Sequence, residues 1–140
     1  MPYLLDTNVV SELRKRAPDP HVVAWYGSVT SAELFLSVLT LGEIRLGIER
    51  RRRTDKAQAD LLEQWLRGLQ AAYADHIIGV DADAAQEWGR LSVPDPLPVI
   101  DGLLAASARL RGWTLVTRNV ADFRRSGVAW LNPFDPRPGL

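Results

Sequence analysis

Short apolar runs of strand length alternate with helical stretches along the whole chain, and this alternation restricts the fold more than any other feature. Residues 3–5, 34–38, 77–80, 113–116 and 128–131 read as strands. Helices are expected over 8–15, 21–29, 41–53, 55–74, 82–91 and 99–111. Pro18 and Pro20 interrupt the pattern after the first, Asp81 is placed to cap the fifth, and Gly112 closes the sixth. The 55–74 stretch carries an apolar stripe of Leu61, Leu62, Trp65, Leu66, Leu69 and Tyr73. Strand and helix in alternation predict an α/β fold with a mostly parallel central sheet and helices on both faces. Ligands of such sheets sit beyond the carboxyl ends of the strands. The 140 residues suit one domain, 1–140, and show neither a repeat nor a linker. A tail with Pro133, Pro136 and Pro138 is expected to lie along the surface or fray.

Composition narrows the chemistry. Cysteine is absent, which removes thiol nucleophiles, disulfides and thiolate metal sites. His21 and His76 are the only histidines, too few for a His-based zinc site. No apolar run approaches the ~20 residues of a membrane span, and the first residues do not form a signal peptide. A cytoplasmic location is the default expectation. Seventeen bases balance seventeen acids. That balance argues against a wholly basic nucleic-acid coat and leaves room for local basic patches. The chemistry has to come from carboxylates, hydroxyls, amides and arginines.

Four acids stand where such a fold concentrates function, and each has a bland alternative. Asp6 follows the first strand; it can bind a metal or simply cap the next helix. Glu43 falls, at about 100° per residue, within an arc containing Leu46, Gly47, Ile44 and Ile48. An unpaired carboxylate on a buried face is costly, so a metal or hydrogen-bond partner is implied. Alternatively, Thr40-Leu41-Gly42-Glu43 is a capping-box match, a pattern repeated at Thr30-Ser31-Ala32-Glu33. Asp101 lies in the first turn of a helix that is apolar nearly all round; it either complements the helix dipole or has a functional reason to be there. Asp122 follows the 113–116 strand after Thr117-Arg118-Asn119 and can equally be a turn aspartate. Gathered at one sheet edge, four carboxylates cannot all persist as bare anions. A divalent cation resolves the repulsion, and oxygen-only ligands select Mg²⁺ or Mn²⁺. The natural chemistry of that cluster is phosphodiester hydrolysis.

The segments bearing these acids resemble the PIN-domain ribonucleases, and among them the VapC-type toxins of toxin–antitoxin pairs. The similar stretches are Leu4-Leu5-Asp6-Thr7-Asn8-Val9-Val10-Ser11-Glu12-Leu13, Thr40-Leu41-Gly42-Glu43-Ile44-Arg45-Leu46-Gly47, Ile100-Asp101-Gly102-Leu103-Leu104-Ala105-Ala106-Ser107-Ala108, and Leu115-Val116-Thr117-Arg118-Asn119-Val120-Ala121-Asp122-Phe123. Asn132-Pro133-Phe134 resembles the family's ending. Each motif is weak alone; the ordered set is specific. The resemblance implies a PIN-like three-layer fold with roughly five parallel strands. It implies Mg²⁺-dependent cleavage of an RNA substrate, a homodimer, and inhibition by a cognate antitoxin that packs on the helices. The catalytic and metal-binding acids carry over to Asp6, Glu43, Asp101 and Asp122, with Asn8, Thr117 and Asn119 as supporting polar groups. An extra Asp95 between prolines departs from the pattern and reads as a turn residue.

Arg118 and Arg124, flanking Asp122, are candidate RNA contacts. The run Arg50 to Arg53 is either a phosphate or partner contact or a solvated helix end. Trp65 and Trp88 sit on helical stripes as packing residues. Charge is a mosaic: six bases and two acids over 45–56, one base and five acids over 75–100, six bases and three acids from 101 onward. A receiver-domain reading wants a lysine after a late strand, yet the only lysines are Lys15 and Lys56. A haloacid-dehalogenase reading wants an aspartate where Asn8 stands. A non-catalytic PIN-like module that binds RNA or protein is the remaining alternative, and the full set of acids argues against it.

Overall fold

The computed structural model describes residues 1–136. Five strands, β1 (Tyr3–Leu5), β2 (Leu34–Ser37), β3 (Ile77–Ile78), β4 (Thr114–Val116) and β5 (Ala129–Leu131), form one sheet in the order β3-β2-β1-β4-β5. Every pairing is parallel. Tyr3 sits opposite both Leu34 and Thr114, so β1 is the central strand and the chain departs from it in both directions. Seven α-helices accompany the sheet: α1 (Thr7–Arg14), α2 (Pro20–Ser28), α3 (Val38–Arg52), α4 (Lys56–Ala72), α5 (Ala82–Leu91), α6 (Val99–Arg111) and the short α7 (Val120–Phe123).

Pleating divides the sheet's side chains between two cores. Leu5 and Val116 join Val9, Val22, Leu36, Ile48 and Leu66 on one side. Leu4 and Leu115 join Leu104, Ala105, Ala108 and Phe123 on the other. Helices therefore cover both faces, and the expected three-layer α/β architecture is what the chain adopts. Small residues allow one close approach. A Cβ on Gly102 of α6 would meet Trp88 Cδ1 of α5 at 2.9 Å, so glycine is required where these helices touch. Trp88 thus packs, as its helical position suggests. Gly112 ends α6 at φ 69°, a left-handed conformation that glycine adopts without a Cβ clash.

Three local expectations need correction. α3 begins at Val38 rather than 41, because the Ser37 hydroxyl accepts from the Leu39 N–H at 3.0 Å and caps the helix early. Thr40 is consequently inside the helix and fully buried. The buried arc of α3 is Thr40–Ile44–Ile48; Leu46 lies opposite and is 50% exposed, while Glu43 stands at the arc's margin, half-buried. On α4, Leu61 is 60% exposed, because it sits about a quarter turn from the stripe centred on Leu62 and Leu66. Of the tail expected to lie along the surface or fray, Pro133 is buried and Pro136 exposed, and Pro138 lies outside the described residues.

Candidate active site

The site grows from the carboxyl ends of the two central strands. β1 runs out at Leu5, and the next N–H, of Asp6, still donates to the Val116 carbonyl of β4 at 2.9 Å. One further ladder step places Asp6 beside Thr117, both buried. The Thr117 hydroxyl donates to Asp6 Oδ2 at 2.7 Å, and the Thr7 N–H donates to Asp6 Oδ1 at 2.7 Å. Asn8 Nδ2 reaches both Asp6 Oδ2 and Thr117 Oγ1 at 3.4 Å, and its Oδ1 accepts from the Arg118 N–H at 3.2 Å. The Asn119 N–H donates to Thr117 Oγ1 at 3.0 Å, so the last supporting group acts through its backbone. The polar residues after β1 and β4 form one network.

Asp6 caps α1, as its bland reading expects, and it also forms the buried centre of this network. For Glu43 the capping box is excluded: Thr40 is interior to α3, and Glu43 Oε1 accepts from the Thr7 hydroxyl at 2.6 Å. The duplicate pattern does form its box, with Glu33 accepting from the Thr30 N–H at 3.1 Å. Asp101 stands half-buried in the first turn of α6, and Asp122 is exposed on α7, its N–H bonded to the Asn119 carbonyl at 3.1 Å.

Electrostatics ties the four acids together. Burial, and after it the neighbouring charges of Asp6, Glu43 and Asp122, together push the Asp101 carboxyl up to about 6. Burial also raises Asp6, against the lowering effect of the Thr117 and Thr7 donors, and Glu43 adds to the rise. The fold therefore brings all four predicted acids within electrostatic reach of one another. Among the described residues, no three acids or histidines stand close enough to grip one ion together.

The arginines divide. Arg118 follows Thr117 directly, and its exposed guanidinium lies 4.0 Å over the Phe134 ring. Arg124 instead lies 5.6 Å from the Trp130 ring of β5. In the Arg50–Arg53 run, Arg52 is tied to Asp60 at 2.9 Å and to Glu63 at 3.0 Å, joining α3 to α4. Arg45 adds a second tie to Glu63, whose carboxyl is held down to about 2. Arg50, Arg51 and Arg53 remain exposed. Asp95 is exposed in the proline loop, as a turn residue would be.

Two residues escaped the sequence reading. Thr7 contacts two of the acids; its place between Asp6 and Asn8 was the available signal. Glu12 is buried and accepts from the Asp19 N–H at 2.9 Å and from Lys15 at 2.8 Å, fixing the α1–α2 turn. No local pattern marks it.

A family model for the PIN domain matches residues 3–128. The chain is 32% identical to the VapC ribonuclease Y4jK of Sinorhizobium fredii, covering 95% of this chain and 98% of that one. It is 30% identical to the toxin FitB of Neisseria gonorrhoeae, over 94% and 97% of the two chains. Among solved structures, FitAcB from Neisseria gonorrhoeae superposes with a TM-score of 0.86 at 29% identity, covering 94% of this chain and 98% of that chain. A FitAB complex bound to a DNA fragment gives 0.87 at 28% identity, with 99% of each chain covered. The chain belongs to the PIN-domain family, on its VapC-type toxin branch.

Proposed function

We propose that the protein is a divalent-metal-dependent endoribonuclease toxin, with Asp6, Glu43, Asp101 and Asp122 as its acids, held in check by a cognate antitoxin. The observation that carries this reading is the electrostatic strain at the sheet edge, where Thr7 bridges Asp6 and Glu43, and burial, then the charges of Asp6, Glu43 and Asp122, raise Asp101. Such strain opposes folding and is relieved by a cation. The donor set fits Mg²⁺ or Mn²⁺, being all oxygen with no cysteine and no nearby histidine. Mg²⁺ typically takes one or two protein carboxylates and keeps water or phosphate in its other positions, which suits acids that do not close around a single point. When bound, the cation neutralises phosphate charge and makes water a better nucleophile.

The chain's own groups perform the rest. Asp6 is held by the donors of Thr7, Thr117 and Asn8, so its carboxylate needs little reorganisation on binding. Asn8 and Asn119 brace Thr117 and the Arg118 backbone. The Arg118 guanidinium, exposed beside this network, offers phosphate a fork of donors. Arg124 is a more distant RNA contact, reached from the Trp130 side.

A groove leads away from Glu43. Thr7, Ser11, Arg14, Arg51 and Trp65 line its first stretch. A second pocket, which shares Arg14 and Trp65 with the first, is lined by Leu5, Val10, Leu13, Tyr26, Leu69 and Tyr73. Its apolar walls fit a segment of antitoxin whose apolar residues lie along the groove and whose basic side chain meets the acids. Val93, Val99 and Ile100 are exposed around the first turn that carries Asp101, an apolar face suited to a second copy. No helix among the described residues is long and apolar enough to cross a membrane; a cytoplasmic setting, where RNA is the substrate, completes the reading.

The test is expression of wild type and Asp6→Asn in a bacterial host, with mapping of RNA ends. New ends and growth arrest are expected from wild type alone. Equal arrest by both proteins, or no new ends, would sink the catalytic reading.

A further inference from the structure

Thr7 contacts two of the four acids by two different groups. Its N–H donates to Asp6 Oδ1 at 2.7 Å, and its hydroxyl donates to Glu43 Oε1 at 2.6 Å. The second bond links α1 to α3 across 36 positions of sequence. A threonine at a helix start ordinarily turns its hydroxyl back to its own backbone. Here Asp6 already serves as the cap, which leaves the Thr7 hydroxyl for Glu43. That single hydroxyl proton can serve one acceptor, and it selects Oε1. No protein group among the described residues donates to Oε2 of Glu43. The β-branch also narrows the Thr7 rotamer, so the hydroxyl is aimed by its own side chain.

We infer that Thr7 is a positioning residue: it holds Glu43 beside Asp6 against their like-charge repulsion and leaves Glu43 Oε2 as the oxygen offered to a divalent cation. This rests on the metal-dependent reading given above. Thr7 acts through Glu43 and through the order of the apo site. It does not itself touch the reacting atoms.

The test measures Mn²⁺ binding calorimetrically on the metal-free protein, independent of cleavage. Thr7→Val keeps the shape and removes the donor; Thr7→Ser keeps the donor. We expect Thr7→Val to weaken Mn²⁺ binding about tenfold, in the range found for groups that orient metal ligands. Thr7→Ser should stay within about threefold of wild type, since it retains the hydrogen bond. In a Glu43→Ala background, Thr7→Val should add less than about twofold, because the residue through which it acts is gone. Circular dichroism of the metal-free variants checks that each is folded. Wild-type affinity in Thr7→Val, with binding lost in Asp6→Asn, overturns the role of Thr7 and leaves the metal reading intact. An undiminished Thr7→Val effect without Glu43 also overturns it. A wild-type protein that takes up no Mn²⁺ overturns both together.

Discussion

At Asp6 one carboxylate accepts from Thr7 and Thr117 while Glu43 repels it, and these opposing influences are set by groups distant in sequence. Thr117 is the stronger probe, being fully buried and bonded to Asp6, Asn8 and Asn119. Thr117→Val should cut RNA cleavage at least ~10-fold and lower stability by about 1–3 kcal/mol, because buried donors and acceptors lose their partner; cleavage assays and urea titration read these separately. Asp101 makes the opposite prediction for stability. Its carboxyl is raised to about 6 from a model-peptide value of 3.8, so at a pH between those values the folded protein holds a proton that the unfolded chain has released. The stabilisation this gives is complete below the unfolded value and is lost as pH rises through about 6. Asp101→Asn should therefore melt higher than wild type at pH 7.5 without divalent ions, by about 1 kcal/mol after allowance for solvent screening. At pH 4 the two should nearly coincide. A thermal melt at both pH values decides it, and an unchanged difference would remove the electrostatic explanation. The identities of these acids were legible in the sequence. Their coupling was not, because it depends on distances across helices and strands that no local pattern encodes.

At the scale of elements, caps and close contacts decide where helices start and how near they lie. Ser37 starts α3 before Thr40, and the difference turns Glu43 from a cap acceptor into a group available to Thr7. Both Thr30 and Thr40 open a capping-box pattern; only Thr30 stands at a helix start, so only its partner Glu33 folds back. Local sequence could not separate the two. α3 and α4 are tied by Arg45, Arg52 and Glu63, which gives the arginine run a structural task at Arg52 and leaves the other three for solvent or a partner. α5 and α6 meet at Gly102, where the Trp88 ring fills the space a side chain would need. Gly102→Ala should force these helices apart at a cost of about 1–3 kcal/mol, measured by urea unfolding. The neighbouring residue is Asp101, so a parallel loss of activity is expected through displacement of the first turn of α6. Full stability in Gly102→Ala would show that the Trp88 ring can move aside.

For the molecule as a whole, the parallel sheet is a device for gathering acids onto one edge. That arrangement stores repulsion, and ligand linkage predicts how it is released: Mg²⁺ at about 100 times its dissociation constant should add about 2.7 kcal/mol to stability. Wild type should melt several degrees higher in Mg²⁺ than in EDTA, and Asp6→Asn should show little of this gain; equal shifts in both would assign the effect to other sites. Zero net charge, uninformative as a sum, resolves into an acid edge and arginines placed around it. The sequence by itself determined the five strands, the six longer helices and the parallel α/β class, because strand and helix periodicities are local and survive without knowledge of contacts; the short α7 that carries Asp122 is too brief to show a period. The sequence also named the four acids, through short motifs repeated in the right order. Only the tertiary structure decided that Glu43 pairs with Thr7, that Asp6 and Thr117 share a buried bond, and that the Asp101 carboxyl is raised. Those properties depend on burial and on the separations between side chains far apart in the chain, and both quantities exist only once the two cores have closed around the sheet.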